Sequence, residues 1–241
     1  MANSYFRFQQ FTIWQDKCAM KVGTDGVLLG AWAPVTSACR VLDIGTGTGL
    51  VALMLAQRSE ARITAIEIDG EAAEQARENV AQSPWQARIE VLHGDFLCYE
   101  PAEKFDLIVS NPPYFVDSLH SPDAQRTNAR HNNTLTYDTL LQHAAALLHP
   151  LGSIALILPT DVLSVVKDVA EKYHLFVNRQ LNIITAPGKL SKRVLVSFTA
   201  ESQPLKEDEL LIEKSRHVYS EEFAKLVEEF YLPTLLNRTN T

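Results

Sequence analysis

Short apolar runs alternate with longer amphipathic segments through the middle of the chain. This alternation predicts β-strands followed by helices, and therefore a mostly parallel sheet that helices cover on both faces. The expected strands are 40–44, 62–68, 88–93, 105–110 and 153–158. The expected helices are 50–57, 71–82, 137–148 and 161–172.

The pattern changes after residue 172. Two further apolar runs, 181–185 and 193–198, are separated by only seven residues. Because a crossover helix does not fit into so short a connection, we expect these two strands to pair antiparallel. The sheet would then contain seven strands and end in an antiparallel hairpin. A last helix is predicted over 220–232, with Ser220 as its N-cap.

The first residues of the chain have a different character. Aromatic and aliphatic side chains dominate them, namely Phe6, Phe8, Phe11, Ile13 and Trp14. We expect a small aromatic hairpin that packs as a flap outside the main sheet.

The composition of the chain and the lengths of its apolar runs limit the class of protein and its location. Its 241 residues, 46% apolar and 21% charged, are typical of one globular domain. No apolar run reaches the roughly 18 residues of a membrane span, and the start MANSYFRFQQ lacks the pattern of a signal peptide. We therefore expect a cytoplasmic protein without a membrane partner. Its three widely spaced cysteines predict reduced, mostly buried thiols, and no metal site is expected.

Charge is unevenly distributed along the chain. The net charge of −7 argues against a partner as acidic as nucleic acid. Residues 201–229 contain nine acids and four bases, however, whereas residues 174–200 contain four bases and no acid. The four bases are Arg179, Lys189, Lys192 and Arg193. A local basic face is therefore predicted on an otherwise acidic protein.

A glycine-rich turn follows the first predicted strand of the sheet. Gly45, Gly47 and Gly49 alternate with other residues, and Asp43 precedes them. Glycine lets the backbone turn tightly and approach a ligand closely. The spacing differs from that of a dinucleotide-binding turn, and Asp43 would repel a pyrophosphate but attract an amine and a sulfonium. The turn therefore favours S-adenosylmethionine, while a turn without a ligand is the plain alternative.

Acidic residues also follow the next two strands. Glu67, with Ile68 beside it, ends the second strand, where its carboxylate can accept hydrogen bonds from ribose hydroxyls. Asp95 follows the third strand, where it can accept from an adenine amine while Phe96 lies against the ring. One such acid alone is more often a solvated strand end. Three acids at the ends of consecutive strands predict a cofactor site.

The fourth strand ends in Asn111-Pro112-Pro113-Tyr114. The side-chain oxygen of Asn111 and the carbonyl of Pro112 can accept both hydrogens of a planar amine, which aims its lone pair at a methyl donor. The prolines hold these acceptors rigidly, and Tyr114, followed by Phe115, offers a stacking face. A rigid surface turn is the alternative without function.

These residues, in this order, resemble the class I S-adenosylmethionine-dependent methyltransferases over roughly residues 20–200. That resemblance implies a Rossmann-like α/β fold and no metal. Nearly the whole chain is similar to a narrower family, the enzymes that methylate N6 of the adenosine 3′ of the anticodon, position 37, in valine tRNA. The narrower similarity depends on Phe11, residues 18–26, residues 28–32 and residues 193–195.

The resemblance also implies roles for particular segments. In such enzymes the stretch that matches residues 21–26 covers the methionine end of the cofactor, which implicates Lys21, Thr24, Asp25 and Gly26. We therefore divide the chain into a flap and cofactor-covering segment (1–35), a methyltransferase core (36–200) and a C-terminal extension (201–241). No protein partner is required.

A tRNA substrate would need cations beside the catalytic motif, because one stacked base contributes only about 1–3 kcal/mol to binding. Two loops have them. The loop after the motif carries Arg126 and Arg130, and the hairpin connection carries Lys189, Lys192 and Arg193. Solvated loop charges are the alternative reading.

Other functions stay open at this point. The Asn-Pro-Pro-Tyr motif also suits a glutamine amide of a translation factor, although only about 40 residues precede the glycine turn instead of a helical substrate-binding domain. Guanine N2 in RNA is an equally suitable amine. An NAD-dependent oxidoreductase is disfavoured by the glycine spacing and by Asp43. A non-catalytic RNA-binding module has no use for the cofactor acids.

Overall fold

Twelve strands are found in a computed structural model of the chain, which describes residues 3–18, 21–113 and 135–236. In chain order they are β1 Tyr5–Arg7, β2 Thr12–Trp14, β3 Arg40–Ile44, β4 Arg62–Glu67, β5 Ile89–His93, β6 Phe105–Ser110, β7 Leu148–Pro159, β8 Phe176–Ile184, β9 Arg193–Thr199, β10 Lys206–Leu211, β11 Glu213–Ser215 and β12 Val218–Tyr219.

Seven α-helices lie between and after these strands in the described ranges. They are α1 Thr24–Trp32, α2 Leu50–Arg58, α3 Gly70–Ala81, α4 Tyr137–Leu147, α5 Leu163–Lys172, α6 Glu221–Val227 and α7 Pro233–Leu236. Ser220 caps α6 as expected, because its side chain accepts a hydrogen bond from the backbone N–H of Phe223. The helix predicted over 220–232 is shorter than expected and ends at Val227.

The central sheet has eight strands in the order β5-β4-β3-β6-β7-β9-β8-β10. β9 runs antiparallel to both of its neighbours, β7 and β8, and the other neighbouring pairs are parallel. The predicted alternation of strands and helices is confirmed, and so is the antiparallel hairpin of β8 and β9. The short connection between these two strands leaves no room for a crossover, which dictates their direction.

The predicted count of seven strands was wrong by one, because β10 extends the sheet beyond β8. The two strands pair parallel from Lys206 opposite Arg179 to Leu211 opposite Ile184. β10 lies at the edge, and its residues 206–209 are charged and exposed. Such an edge strand has no apolar alternation, so the sequence pattern did not reveal it. Part of the segment after residue 200, which we assigned to an extension, thus belongs to the sheet.

The core lies on both faces of the sheet. Consecutive residues of one strand point to opposite faces of the sheet. Val41 packs with α1 and α2, whereas Leu42 packs with α4 and α5. Both side chains are fully buried. A strand that is apolar on both faces is typical of a parallel sheet between two helical layers.

The N-terminal hairpin of β1 and β2 forms a sheet of its own, as expected for the flap. In its turn, Phe8 stacks on Phe11 with ring centroids 4.6 Å apart. Ile13 of β2 is completely buried in the core on the α1 and α2 side. The hairpin is therefore packed into the core, which fixes the residues that follow it.

Two remaining sequence expectations concern membranes and cysteines. Across the described ranges, no helix has the length and apolar character that crossing a bilayer requires. No disulfide joins Cys18, Cys39 and Cys98, all of which are described. Cys39 and Cys98 are exposed, however, so the expectation of mostly buried thiols was wrong. Both lie in connections next to strands, outside the packed core.

Candidate active site

The carboxyl ends of the parallel strands meet at one edge of the sheet, and the predicted catalytic and cofactor residues follow this edge. Ile44 of β3 is aligned with Ser110 of β6. Gly45 and Asn111, the next residues, therefore follow the ends of two neighbouring strands, and neighbouring strands lie about 4.8 Å apart. Glu67 ends β4 on the other side of β3. The glycine turn is thus flanked by a carboxylate on one side and by the predicted catalytic motif on the other.

The glycine turn has the conformation that its sequence predicts. Gly45, Gly47 and Gly49 have φ angles of +67°, +56° and +82°, which side chains with a Cβ rarely adopt. A Cβ built on Gly45 or Gly47 would meet no atom within 4 Å, whereas one on Gly49 would lie 3.5 Å from the Cβ of Ala76. The first two glycines therefore leave open space where a ligand can approach the backbone, and the third packs against α3.

Glu67 holds the glycine turn. Its carboxylate accepts hydrogen bonds from the backbone N–H of Gly47 at 2.8 Å and of Asp69 at 3.0 Å. The residue is 9% exposed. Since each carboxylate oxygen can accept more than one hydrogen bond, the predicted contact with ribose hydroxyls is compatible with this arrangement and stays a prediction.

Asp43 lies inside the turn. It is 2% exposed and accepts a hydrogen bond from the Thr46 hydroxyl at 2.6 Å and one from the backbone N–H of Ala52. Burial raises the pKa of Asp43 to about 7, the two hydrogen bonds oppose this rise, and the nearby charge of Glu67 adds to it. Asp43 thus acts first on the conformation of the turn and the start of α2.

The residues after β4 and β5 are exposed to different degrees. Asp95 is partly buried and caps a 3₁₀ turn, Phe96–Cys98, by accepting from the N–H of Leu97 at 2.9 Å. Phe96 is only 5% exposed and packs edge-on against His143, so its ring offers little surface to a ligand. Ile68, in contrast, is 63% exposed at the end of β4. Among these three, Ile68 is the apolar side chain that a flat ring could cover.

The predicted catalytic motif is anchored where β6 ends. The Ser110 hydroxyl donates a hydrogen bond to the carbonyl of Ile44 at 2.9 Å, which ties the strand end to β3. Asn111 is partly buried, Pro112 is buried and Pro113 is exposed. The predictions that concern Tyr114, Phe115, Arg126 and Arg130 lie outside the described residues.

Two buried polar residues that sequence reasoning missed connect the hairpin to the site. The side chain of Asn79 bonds to both backbone groups of Trp14 and also donates to the carbonyl of Thr48 in the glycine turn, at 2.8–2.9 Å. Gln15 accepts from the N–H of Val22 at 2.7 Å. No local signal in the sequence marks either residue, because each lies next to charged residues in the chain. The hairpin thereby positions residues 21–26, the predicted cofactor-covering segment, which follow it in the chain.

The predicted covering segment, residues 21–26, runs into the start of α1, which packs against the start of α2. Lys21 and Thr24 are exposed, while Gly26 is buried at the start of α1. A Cβ on Gly26 would lie 3.1 Å from Leu50, the first residue of α2. Close approach of these two helix starts brings residues 21–26 near the end of the glycine turn, and their role in covering the cofactor stays a prediction.

An ion pair joins two residues for which we predicted different roles. The Nε of Arg193 donates to the carboxylate of Asp25 at 2.9 Å, and a terminal nitrogen of Arg193 donates to the carbonyl of Lys192 at 3.0 Å. The predicted phosphate contact of Arg193 would therefore share its guanidinium with Asp25. Lys189 and Lys192 have exposed side chains.

The ion pair borders an open groove of about 290 Å³. Leu28, Ile183 and Ile212 contribute its apolar lining, and Thr24 and Lys192 contribute polar atoms. The groove follows the carboxyl edge from the covering segment toward the β8–β9 connection. In the described part of the chain, no group of three or more metal-ligating side chains is found.

Comparisons with known proteins agree with this geometry. The model of the methyltransferase small domain family matches residues 22–169. A protein of Bacteroides thetaiotaomicron named tRNA1(Val) (adenine(37)-N6)-methyltransferase is 61% identical over 96% of this chain and 99% of its own length. A protein of the same name from Aeromonas hydrophila is 47% identical over 95% of this chain and 98% of its own.

Solved structures agree at the level of the fold. The crystal structure of a protein described as a predicted O-methyltransferase from Agrobacterium tumefaciens has a TM-score of 0.67 at 24% identity, over 86% of this chain and 96% of that one. A methyltransferase from Pyrococcus furiosus has a TM-score of 0.54 at 21% identity, over 78% and 91%. By its match to the family and its identity to these relatives, the chain belongs to the class I methyltransferases and, within them, to the family of the tRNA1(Val) (adenine(37)-N6)-methyltransferases.

Proposed function

We propose that this protein transfers a methyl group from S-adenosylmethionine to N6 of an adenosine in tRNA, namely adenosine 37 of valine tRNA. One observation carries the proposal, the register of Ile44 opposite Ser110, which places the residues that follow these two strand ends, Gly45 and Asn111, at the same edge of the sheet. The amine-binding motif therefore begins beside the open glycine turn. The name and 61% identity of the Bacteroides relative support the choice of substrate.

The residues at the sheet edge fit S-adenosylmethionine. Gly45 and Gly47 leave room for close approach to the backbone, and Glu67 has acceptor capacity left for ribose hydroxyls. Lys21 and Thr24 stand exposed where the methionine end would be covered. When bound, the cofactor supplies an electrophilic methyl group.

Asn111 and Pro112 supply the acceptors for the target amine. The two N–H bonds of N6 would donate to the Asn111 side-chain oxygen and the Pro112 carbonyl. The nitrogen lone pair would then be free to form a new N–C bond with the methyl group that the bound cofactor would supply. The amine becomes acidic only as this bond forms, so one proton then passes to solvent without a strong base. Catalysis by these residues consists of positioning and electrostatics.

The family implies tRNA as the macromolecular partner, and a tRNA substrate implies the cytoplasm as the place of reaction. No metal takes part in this proposal.

The direct test incubates the protein and labelled S-adenosylmethionine with unmodified tRNAs or, in a parallel reaction, with a translation factor. The labelled nucleoside or amino acid and its position are then identified. N6-methyladenosine at position 37 of valine tRNA is the expected product. Label in N2-methylguanosine would assign guanine as the substrate instead. Label in a translation factor and in no tRNA would assign the glutamine amide.

Asn111→Ala tests the residue at the centre of the proposal. We expect the single-turnover methylation rate to fall about 100-fold or more, the scale for loss of one transition-state hydrogen-bond partner. Cofactor affinity by calorimetry should stay within about 3-fold, since Asn111 acts on the amine. A near wild-type rate at saturating tRNA would remove Asn111 from the catalytic motif.

A further inference from the structure

An exposed leucine stands in the connection between β8 and β9. Leu190 is 88% exposed, the highest value among the large apolar side chains of the described residues. Leaving a leucine side chain in water forgoes the stabilisation that burial would give. The exposure therefore raises the question of what this side chain contacts.

The connection is held in place. At its tip, Gly188 has a φ of +73° and the N–H of Lys189 donates to the carbonyl of Ala186 at 3.1 Å, which closes a turn. At its end, the N–H of Thr160 donates to the carbonyl of Lys192 at 3.2 Å, which ties the connection to the end of β7. Leu190 is thus presented to solvent by an ordered loop.

The charges around Leu190 are of one sign. Lys189 and Lys192 flank it in sequence and are exposed, and no acid occurs between residues 174 and 200. An apolar side chain between two cations is complementary to an unpaired nucleotide, which offers a flat base between phosphates.

The loop also stands at the edge where the target would bind. Arg193, the first residue of β9, is opposite Pro159 at the end of β7. β7 in turn pairs with β6, which Asn111 follows. Two strand spacings, about 10 Å, therefore separate the start of β9 from the catalytic motif along the edge. A tRNA loop with one base at Asn111 spans that distance.

We propose that Leu190 packs against an unpaired nucleobase of the same tRNA loop that carries the target adenosine, with Lys189 and Lys192 at the adjoining phosphates. This inference rests on the proposed function.

The test compares Leu190→Ala with Leu151→Ala. Leu151 is a matched control because it is 80% exposed but lies near the start of β7, at the opposite edge of the sheet. With an anticodon stem-loop RNA, we expect Leu190→Ala to lower methylation kcat/KM and RNA affinity about 5- to 30-fold, the scale for truncating one leucine side chain that binding buries. Leu151→Ala should match the wild type, and cofactor affinity should be unchanged in both.

Salt dependence and an abasic RNA make the test specific. Leu190→Ala should weaken binding equally at every salt concentration, because the substitution removes no charge. When the loop bases next to the target are replaced by abasic sites, the wild type and Leu190→Ala should bind alike. A weakening that persists on the abasic RNA, or a change of oligomeric state in Leu190→Asp, would overturn the base contact.

The outcomes separate the two proposals. Wild-type protein that methylates no tRNA rejects the proposed function. Active wild-type protein with an equally active Leu190→Ala variant rejects the Leu190 contact and leaves the proposed function standing.

Discussion

Two carboxylates, Asp43 and Glu67, fix the glycine turn from inside the protein. Glu67 accepts two backbone N–H groups, while Asp43 is deeper and accepts from the Thr46 hydroxyl. The sequence suggested that Asp43 attracts a cationic cofactor and that Glu67 accepts hydrogen bonds from its ribose hydroxyls. The structure adds that both shape the turn, so substitutions at either residue change the conformation of the turn as well as its charge.

The raised pKa of Asp43 predicts a pH dependence of stability. Burial raises this pKa from 3.8 to about 7, so between these values the folded protein binds more protons than the unfolded chain. Stability therefore falls as pH rises through this window. The side chain in Asp43→Asn cannot titrate. The free energy of unfolding of this variant should therefore fall less steeply with pH, and the two slopes should differ by up to about 1.4 kcal/mol per pH unit. Urea unfolding of both proteins at pH 5, 6 and 7 measures this difference, and equal slopes would contradict it.

At the scale of elements, α1 lies close to α2 because Gly30 has no side chain. A Cβ at this position would lie 2.7 Å from the sulfur and 2.8 Å from the Cβ of Met54, which is fully buried. The same close approach brings the start of α1, and with it the covering segment, to the start of α2. Packing of two helices thus decides where residues 21–26, the predicted cofactor-covering segment, lie.

Gly30→Ala should therefore destabilise the protein. The added methyl group has no space unless the helices separate, and we expect a loss of about 1–3 kcal/mol in the free energy of unfolding. Gly23→Ala is the control, since its Cβ would have no neighbour nearer than 3.9 Å and its backbone is extended. Chemical denaturation of the three proteins gives the comparison. A Gly30→Ala variant as stable as Gly23→Ala would show that the helix contact adapts.

The ion pair of Asp25 and Arg193 connects the covering segment to β9. Its side chains are 25% and 31% exposed, so we expect a coupling energy of only about 0.5–1 kcal/mol in a double-mutant cycle on stability. Arg193→Ala should nevertheless weaken cofactor binding about 3- to 10-fold, because Asp25 holds the start of α1 through this pair. Calorimetry with Lys192→Ala, expected to bind the cofactor normally, provides the control. Equal affinities in both variants would leave the pair without a role at the cofactor site.

At the scale of the whole molecule, the distribution of charge decides how a protein of net charge −7 approaches RNA. The exposed Lys189 and Lys192 stand at the carboxyl edge, near the catalytic motif, and the acidic residues 207–209 lie on the outer edge strand β10. The electrostatic potential therefore favours a polyanion at the carboxyl edge beside Lys189 and Lys192 and disfavours it beside β10.

Removal of these two lysines should flatten the salt dependence of tRNA binding. Each phosphate contact that is removed reduces the slope of log affinity against log salt concentration by roughly 0.7–0.9, so Lys189→Ala with Lys192→Ala should lower it by about 1.4–1.8. The matched control removes two cations at the opposite edge, Arg62 at the start of β4 and Lys104 before β6. Filter binding over a salt series measures both slopes. Equal slopes in the two double variants would place the tRNA elsewhere.

The sequence by itself determined the parts of this protein that depend on local patterns. The spacing of apolar residues and the composition of each segment predicted the alternating strands and helices. The short connection 186–192 predicted the antiparallel hairpin. The glycine turn and the end of β6 were recognisable because a left-handed backbone and a rigid acceptor pair need particular residue types.

Only the tertiary structure decided features that depend on distant residues. Asp25 and Arg193 are 168 positions apart, and no local pattern relates them. β10 is charged and exposed at a sheet edge, and it has no apolar pattern that would predict a strand. Its backbone pairing with β8 determines that it is one. Phe96 looked like a ligand-facing ring but is buried against His143. Local patterns specify backbone conformation, whereas burial and pairing depend on which elements the folded sheet brings together.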